Sequence, residues 1–147
     1  MGALTDRVLR LNAAVNAHDL NPIGDMYAED AELVWPGLGA ISGRPAVVAF
    51  YARILGAFPD VHVTIRRIVE EGDAVAVTYT SVGTNAGPLP LPSGDLPATN
   101  KSVTIEASSV GIADSTGRIK TQREYFDQVD ILVQLGLMPA PVEAVRS

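Results

Sequence analysis

Cysteine is absent from this chain of 147 residues, so disulfides, thiolate nucleophiles and thiolate metal sites are excluded, while the redox compartment stays open. Histidine is nearly as scarce. His18 and His62 are the two present, far apart and without a spacing such as His-Glu-x-x-His, so no metal site is expected. His18 falls in a helix-terminal loop and His62 alternates with apolar strand residues, which turns both towards solvent. Positive charge is also in deficit: Lys and Arg number 11 against 17 Asp and Glu, a formal net charge of −6. Without a basic face nothing neutralises phosphates, which argues against a nucleic-acid partner and against binding to an anionic membrane surface. Gly-x-Gly-x-x-Gly and Walker-type loops are missing, and no cofactor is expected. No apolar stretch reaches about 18 residues. The first residues lack a basic segment followed by an apolar one, and Asp6 stands where a myristoylation signal has Ser or Thr. A cytoplasmic protein is the expectation.

What is present suffices for one domain, 1–147. The chain is 47% hydrophobic, and a domain of this length buries about 70% of the surface its unfolded chain exposes, which leaves room for one small-molecule pocket. Leu4, Val8, Leu11 and Val15 recur at helical spacing, with Thr5 or Asp6 placed to cap the first turn. Asn21-Pro22 predicts a short second helix through Met26 and Tyr27, followed by an extended segment from Ala31 to Trp35. Gly43-Arg44-Pro45 opens a third helix that ends before Pro59. The period then becomes two: Val61, Val63 and Ile65 lead through the turn Glu71-Gly72-Asp73 into residues 74–80, a β-hairpin. Strands follow at Ser102 to Ala113 and Arg118 to Asp127, then a short helix from Val129 to Leu135, with Asp127 as its cap. Between them Ala86 to Asn100 carries Pro88, Pro90, Pro92 and Pro97, which rules out a central strand. It is either a stiff surface connection or a flap over the pocket mouth. Helices packed on one face of a curved, mainly antiparallel sheet make an α+β fold.

Several strings recur in a characteristic order: Tyr27-Ala-Glu-Asp-Ala, Gly43-Arg-Pro-Ala-Val, Phe58-Pro-Asp, Glu71-Gly-Asp-Ala-Val-Ala-Val, Gly83-Thr-Asn-Ala-Gly, Gly117-Arg-Ile, and Phe126-Asp followed by Gln134-Leu-Gly. On these the chain resembles the nuclear-transport-factor-like superfamily, most closely its SnoaL-type polyketide cyclases. The resemblance implies a conical half-barrel with a deep apolar cavity and a homodimeric assembly. Ketosteroid isomerases of this fold would place a tyrosine and two aspartates at the positions of Leu11, Trp35 and Ser109. None can do those jobs, which excludes that mechanism. Epoxide hydrolases of the fold would have arginine and aspartate at Ser81 and Gly83. The pocket histidine of the cyclases, expected at or next to Ser109 or Val110, is also missing.

One counterpart survives. In the cyclases and the epoxide hydrolases, the third residue of a string like Gln122-Arg123-Glu124-Tyr125-Phe126-Asp127 is a catalytic aspartate facing the cavity; here it is Glu124. Strand alternation puts Gln122, Glu124 and Phe126 on one face. A carboxylate losing hydration there gains proton affinity and suits general acid/base work. The alternative is a glutamate neutralised by Arg66 or Arg118. Trp35 either stacks on a flat substrate or packs as core. Tyr51 and Tyr79 are packing residues or hydrogen-bond an enolate oxygen, while Ser81 and Ser109 are weak donors. The expected ligand is a hydrophobic, carbonyl-bearing small molecule. The expected activity is cyclisation or isomerisation, with epoxide opening, dehydration or ligand binding without catalysis as rivals.

Overall fold

Spacing along the first segment produces a helix, as its apolar stripe requires. The structure, a computed structural model, describes residues 2–91 and 93–140. In it α1 (Ala3–Asn16) packs Leu4 and Val8 against Val75, Val77 and Ala113. Its start differs from the sequence expectation, because Gly2 is the N-cap and neither Thr5 nor Asp6 caps the helix. Thr5 donates both its N–H and its hydroxyl to Glu70 Oε1, each at 2.8 Å. A carboxylate from the sheet thus satisfies a first-turn donor that a local cap would otherwise take, at the positive end of the helix dipole.

The helix expected after Asn21-Pro22 is a single 3₁₀ turn, Gly24–Met26, and Tyr27 already belongs to β1 (Tyr27–Trp35). This strand is longer than the segment from Ala31. Glu29 and Asp30, exposed and of a kind strands disfavour, sit at an irregularity between Tyr27 and Glu32, so alternation is broken there. β2 (Gly39–Ser42) returns antiparallel onto β1 and is too short and too exposed to show a period. α2 (Arg44–Ala57) starts with Pro45 in its first turn and stops before Pro59 as expected. The hairpin of β3 (His62–Glu71) and β4 (Ala74–Thr84) turns through Gly72, whose φ of 59° suits glycine. β5 (Ser102–Ala113), β6 (Ile119–Tyr125) and α3 (Gln128–Gln134) complete the described chain. Asp127 does cap α3, its Oδ1 accepting from Asp130 N–H at 3.0 Å. Gln134 clips the helix to β5 through the N–H and carbonyl of Thr104.

Among the described residues six strands run β2-β1-β6-β5-β4-β3 in one open sheet, with β1 and β6 parallel and the other neighbours antiparallel. The α+β class is as expected. One core cluster, around Ile23, Tyr27, Leu33, Val47 and Phe50, lies under α2; a second lies under α1. The cavity opens between them.

Candidate active site

The inner faces of β4, β5 and β6 point into a cavity of about 230 Å³ that the helices roof. Strand alternation sets which side chains reach it. Gln122, Glu124 and Phe126 border it in phase, and register places Ser109 directly across from Glu124. Tyr79 and Ser81 reach it from β4, Tyr51 from α2 and Trp35 from the end of β1. Every site residue named from the sequence therefore lines one space. His18 and His62 are exposed and lie outside it, as expected.

Glu124 is 6% exposed and Gln122 8%. The arginine neutralisation weighed for Glu124 does not occur: Arg66 Nε donates to Thr80 Oγ1 on the outer face, and Arg118 Nε donates to the Asp25 carbonyl at the surface. Glu124 is instead held by neutral donors. Tyr79 Oη donates to Oε1 at 2.6 Å and Gln122 Nε2 to Oε2 at 3.1 Å. Burial pushes its pKa up from the ordinary carboxylate value, and the hydrogen bonds from Tyr79, Gln122 and Ser109 hold part of that rise back. Burial, and next the charge of Glu124, also raise Tyr79, and push Tyr51 up to about 12. The tyrosines stay protonated at neutral pH, so each offers an O–H and lone pairs, not a phenolate.

Tyr27 belongs to this site although sequence reasoning placed it in a helix. It is 1% exposed, stands 2.7 Å from Tyr51 Oη, and donates to Gln122 Oε1 at 2.7 Å, joining α2 to β6 behind the cavity wall. The signal was the string Tyr27-Ala-Glu-Asp-Ala, which carries a fold resemblance but does not show that the hydroxyl turns inward. Asn12 was missed as well. With Arg7 it is one of two polar residues that α1 brings to the cavity beside Val8, Leu11 and Val15, and that break in the apolar stripe was a readable sign.

Residues 8–120 match the SnoaL-like domain. The chain belongs to the SnoaL-like family. No functionally curated protein matches it. Among solved structures, this SnoaL-like chain resembles a protein assigned as a SnoaL-like polyketide cyclase from Jannaschia sp. CCS1, with 19% identity, TM-score 0.80, and 92% and 93% of the two chains covered. It also resembles IdmH from Streptomyces antibioticus, assigned as a polyketide cyclase, at 24% identity and TM-score 0.73 over 92% of this chain and 99% of that one. A protein with a ketosteroid isomerase-like fold from Catenulispora acidiphila matches at 22% identity and TM-score 0.73, covering 90% and 93%. At these identities the likeness establishes the fold, and the chemistry rests on this SnoaL-like domain's own residues. Leu11, Trp35, Ser81, Gly83 and Ser109 all border the cavity and none bears a carboxylate. Glu124 is the one carboxylate among the cavity-lining residues described.

The rest of the lining is mostly apolar. Trp35 meets Phe50 and Phe126 edge-on, with ring centroids 4.8 and 5.3 Å apart, and so is packed on the core while also facing the cavity. Leu89, Pro90 and Leu91 line the cavity from the segment expected to be a connection or a flap. A bridge between Leu89 and Leu96 folds that segment back on itself, and it carries the ion pair of Asp95 with Arg53 of α2; Pro92 lies outside the described residues.

Proposed function

We propose that this protein is a cofactor-independent SnoaL-type cyclase or isomerase acting on a hydrophobic, carbonyl-bearing, polyketide-like molecule, with Glu124 as general base and then general acid. The observation that carries this reading is a buried carboxylate, with no cation against it among the described residues, facing a cavity whose wall is mostly carbon. Glu124 takes a proton from the carbon next to a carbonyl. The resulting enolate attacks a second carbonyl to close the ring, and the proton returns from Glu124 to the new alkoxide. One carbon–carbon bond forms, and the net redox state is unchanged. The step itself requires neither redox cofactor nor activated co-substrate. A cavity of about 230 Å³ falls below the roughly 300–1,000 Å³ of sites for drug-sized ligands. The reacting end thus enters as one or two rings, with the remainder lying in the mouth beside Trp35 and Phe126.

The test needs only a small ketone. Wild-type protein in deuterated water is expected to accelerate exchange of the α-protons of 2-indanone over buffer, followed by proton NMR. Glu124→Gln should lower that rate at least about 10²-fold, the scale of general acid/base catalysis. Exchange that survives the substitution would sink the assignment. Binding of 2-indanone by wild type with exchange at the buffer rate would favour the rival reading, a ligand-binding protein in which Glu124 only orients its guest.

A further inference from the structure

The protons around Glu124 have one consistent arrangement. Tyr27 carries a single proton and faces the carbonyl oxygen of Gln122, which accepts only, so Tyr27 donates there at 2.7 Å. In the 2.7 Å contact between Tyr27 and Tyr51 the donor must then be Tyr51. The amide of Gln122 is fixed in this orientation from its other end, where Nε2 donates to the carboxylate of Glu124. Direction passes along the whole line: Tyr51 to Tyr27, Tyr27 to Gln122, Gln122 to Glu124. Tyr79 likewise directs its proton onto Glu124. Tyr51 borders the cavity and Tyr27 does not. The Gln122 amide also bonds to Tyr51, so with the Tyr51 proton spent on Tyr27, what Tyr51 presents to a ligand is its remaining lone pair. The hydroxyl that the sequence offered as a donor to an enolate oxygen is turned the other way.

We propose that Tyr51 is a specificity-determining acceptor, and that the site selects substrates bearing a hydroxyl group near the reacting carbonyl, the hydroxyl donating to Tyr51 Oη. The substrate class is thus a hydroxy ketone or the enol form of a dicarbonyl, in preference to a simple ketone or an ether. Tyr27 is the positioning residue, because its single proton decides which way Tyr51 points. The proposal rests on Glu124 being the ionised base of the resting site.

Three neutral probes with one skeleton test it: 2-indanol, which donates and accepts, and 2-indanone and 2-methoxyindane, which only accept. Affinities are measured by titration calorimetry at about pH 8, well above the ordinary carboxylate range. Wild type is expected to bind 2-indanol about 5- to 10-fold more tightly than 2-methoxyindane, the effect of one neutral hydrogen bond. Tyr51→Phe should remove that preference and leave the ether unchanged. Tyr27→Phe deprives Tyr51 of its internal acceptor, turns the proton into the cavity and should raise affinity for 2-indanone relative to 2-indanol. A preference for the alcohol that survives Tyr51→Phe overturns the proposal and moves the contact to Glu124. Equal binding of alcohol and ether by wild type, or no binding of any probe at millimolar concentration, overturns it too. Should Tyr27→Phe fail to fold, Tyr51→Phe decides alone, since it leaves Tyr27 bonded to Gln122. These are binding measurements on proteins that retain Glu124, so their failure is distinct from failure of the exchange experiment.

Discussion

Burial acts on Glu124 in one direction, and its donors Tyr79, Gln122 and Ser109 act in the other, with burial the stronger. The consequence for stability has a definite sign. A glutamate in the unfolded chain titrates near about 4.3, and Glu124 titrates higher when folded. Between those two values the folded state holds more protons than the unfolded state, so stability falls as pH rises through the window and is fully present only below it. The carboxylates held low by hydrogen bonds at the surface, Asp60, Glu70 and Asp114, lose their contribution below the ordinary carboxylate range, outside that window. Urea unfolding of wild type at about pH 5 and about pH 8 should therefore show a drop that Glu124→Gln lessens. The two histidines are common to both proteins and cancel in the comparison. Equal drops in the two would show that burial of Glu124 is not what opposes its ionisation.

Asn85 anchors the base of the segment that follows β4. Asn85 is 1% exposed; its amide donates to the carbonyls of Ala57 and Gly87, and its oxygen accepts from the N–H and hydroxyl of Thr99. Replacing it with alanine removes these four bonds, leaves Ala57 O with only the Gly87 N–H, and should lower unfolding free energy by about 1–3 kcal/mol, measured in urea. A loss under about 0.5 kcal/mol would mean that Leu89 and Pro90, not Asn85, fix the segment. Close approach adds to this anchoring, since a Cβ on Gly87 would stand 2.1 Å from the Gly56 carbonyl oxygen. None of this was readable from the prolines, which exclude a strand but do not say where a loop docks. The long elements were legible because one periodicity runs through each: α1, α2 and the β3–β4 hairpin lie where their apolar spacing predicts. β1 was legible only from Ala31 and β2 not at all, because one is broken by charged residues at an irregularity and the other is four residues long.

On the outer face of the sheet Val82, Val110 and Tyr125 are 43%, 40% and 50% exposed. If the homodimer that the resemblance implies forms through this face, light scattering at micromolar concentration gives twice the mass of one chain, and Val82→Glu with Val110→Glu returns it to one. A wild-type mass of one chain would count against pairing. Inside the same sheet, alternation alone put Glu124 on the side of Phe126, and composition alone removed thiol chemistry. Those conclusions follow from residue identity and a period of two, which are properties of the chain itself. The line from Tyr51 through Tyr27 to Glu124 is of another kind. Its members come from α2, β1 and β6, separated by tens of residues and brought together by the parallel pairing of β1 with β6. Spacing along the chain carries no record of that pairing, and only the packed structure decides which way each hydroxyl donates.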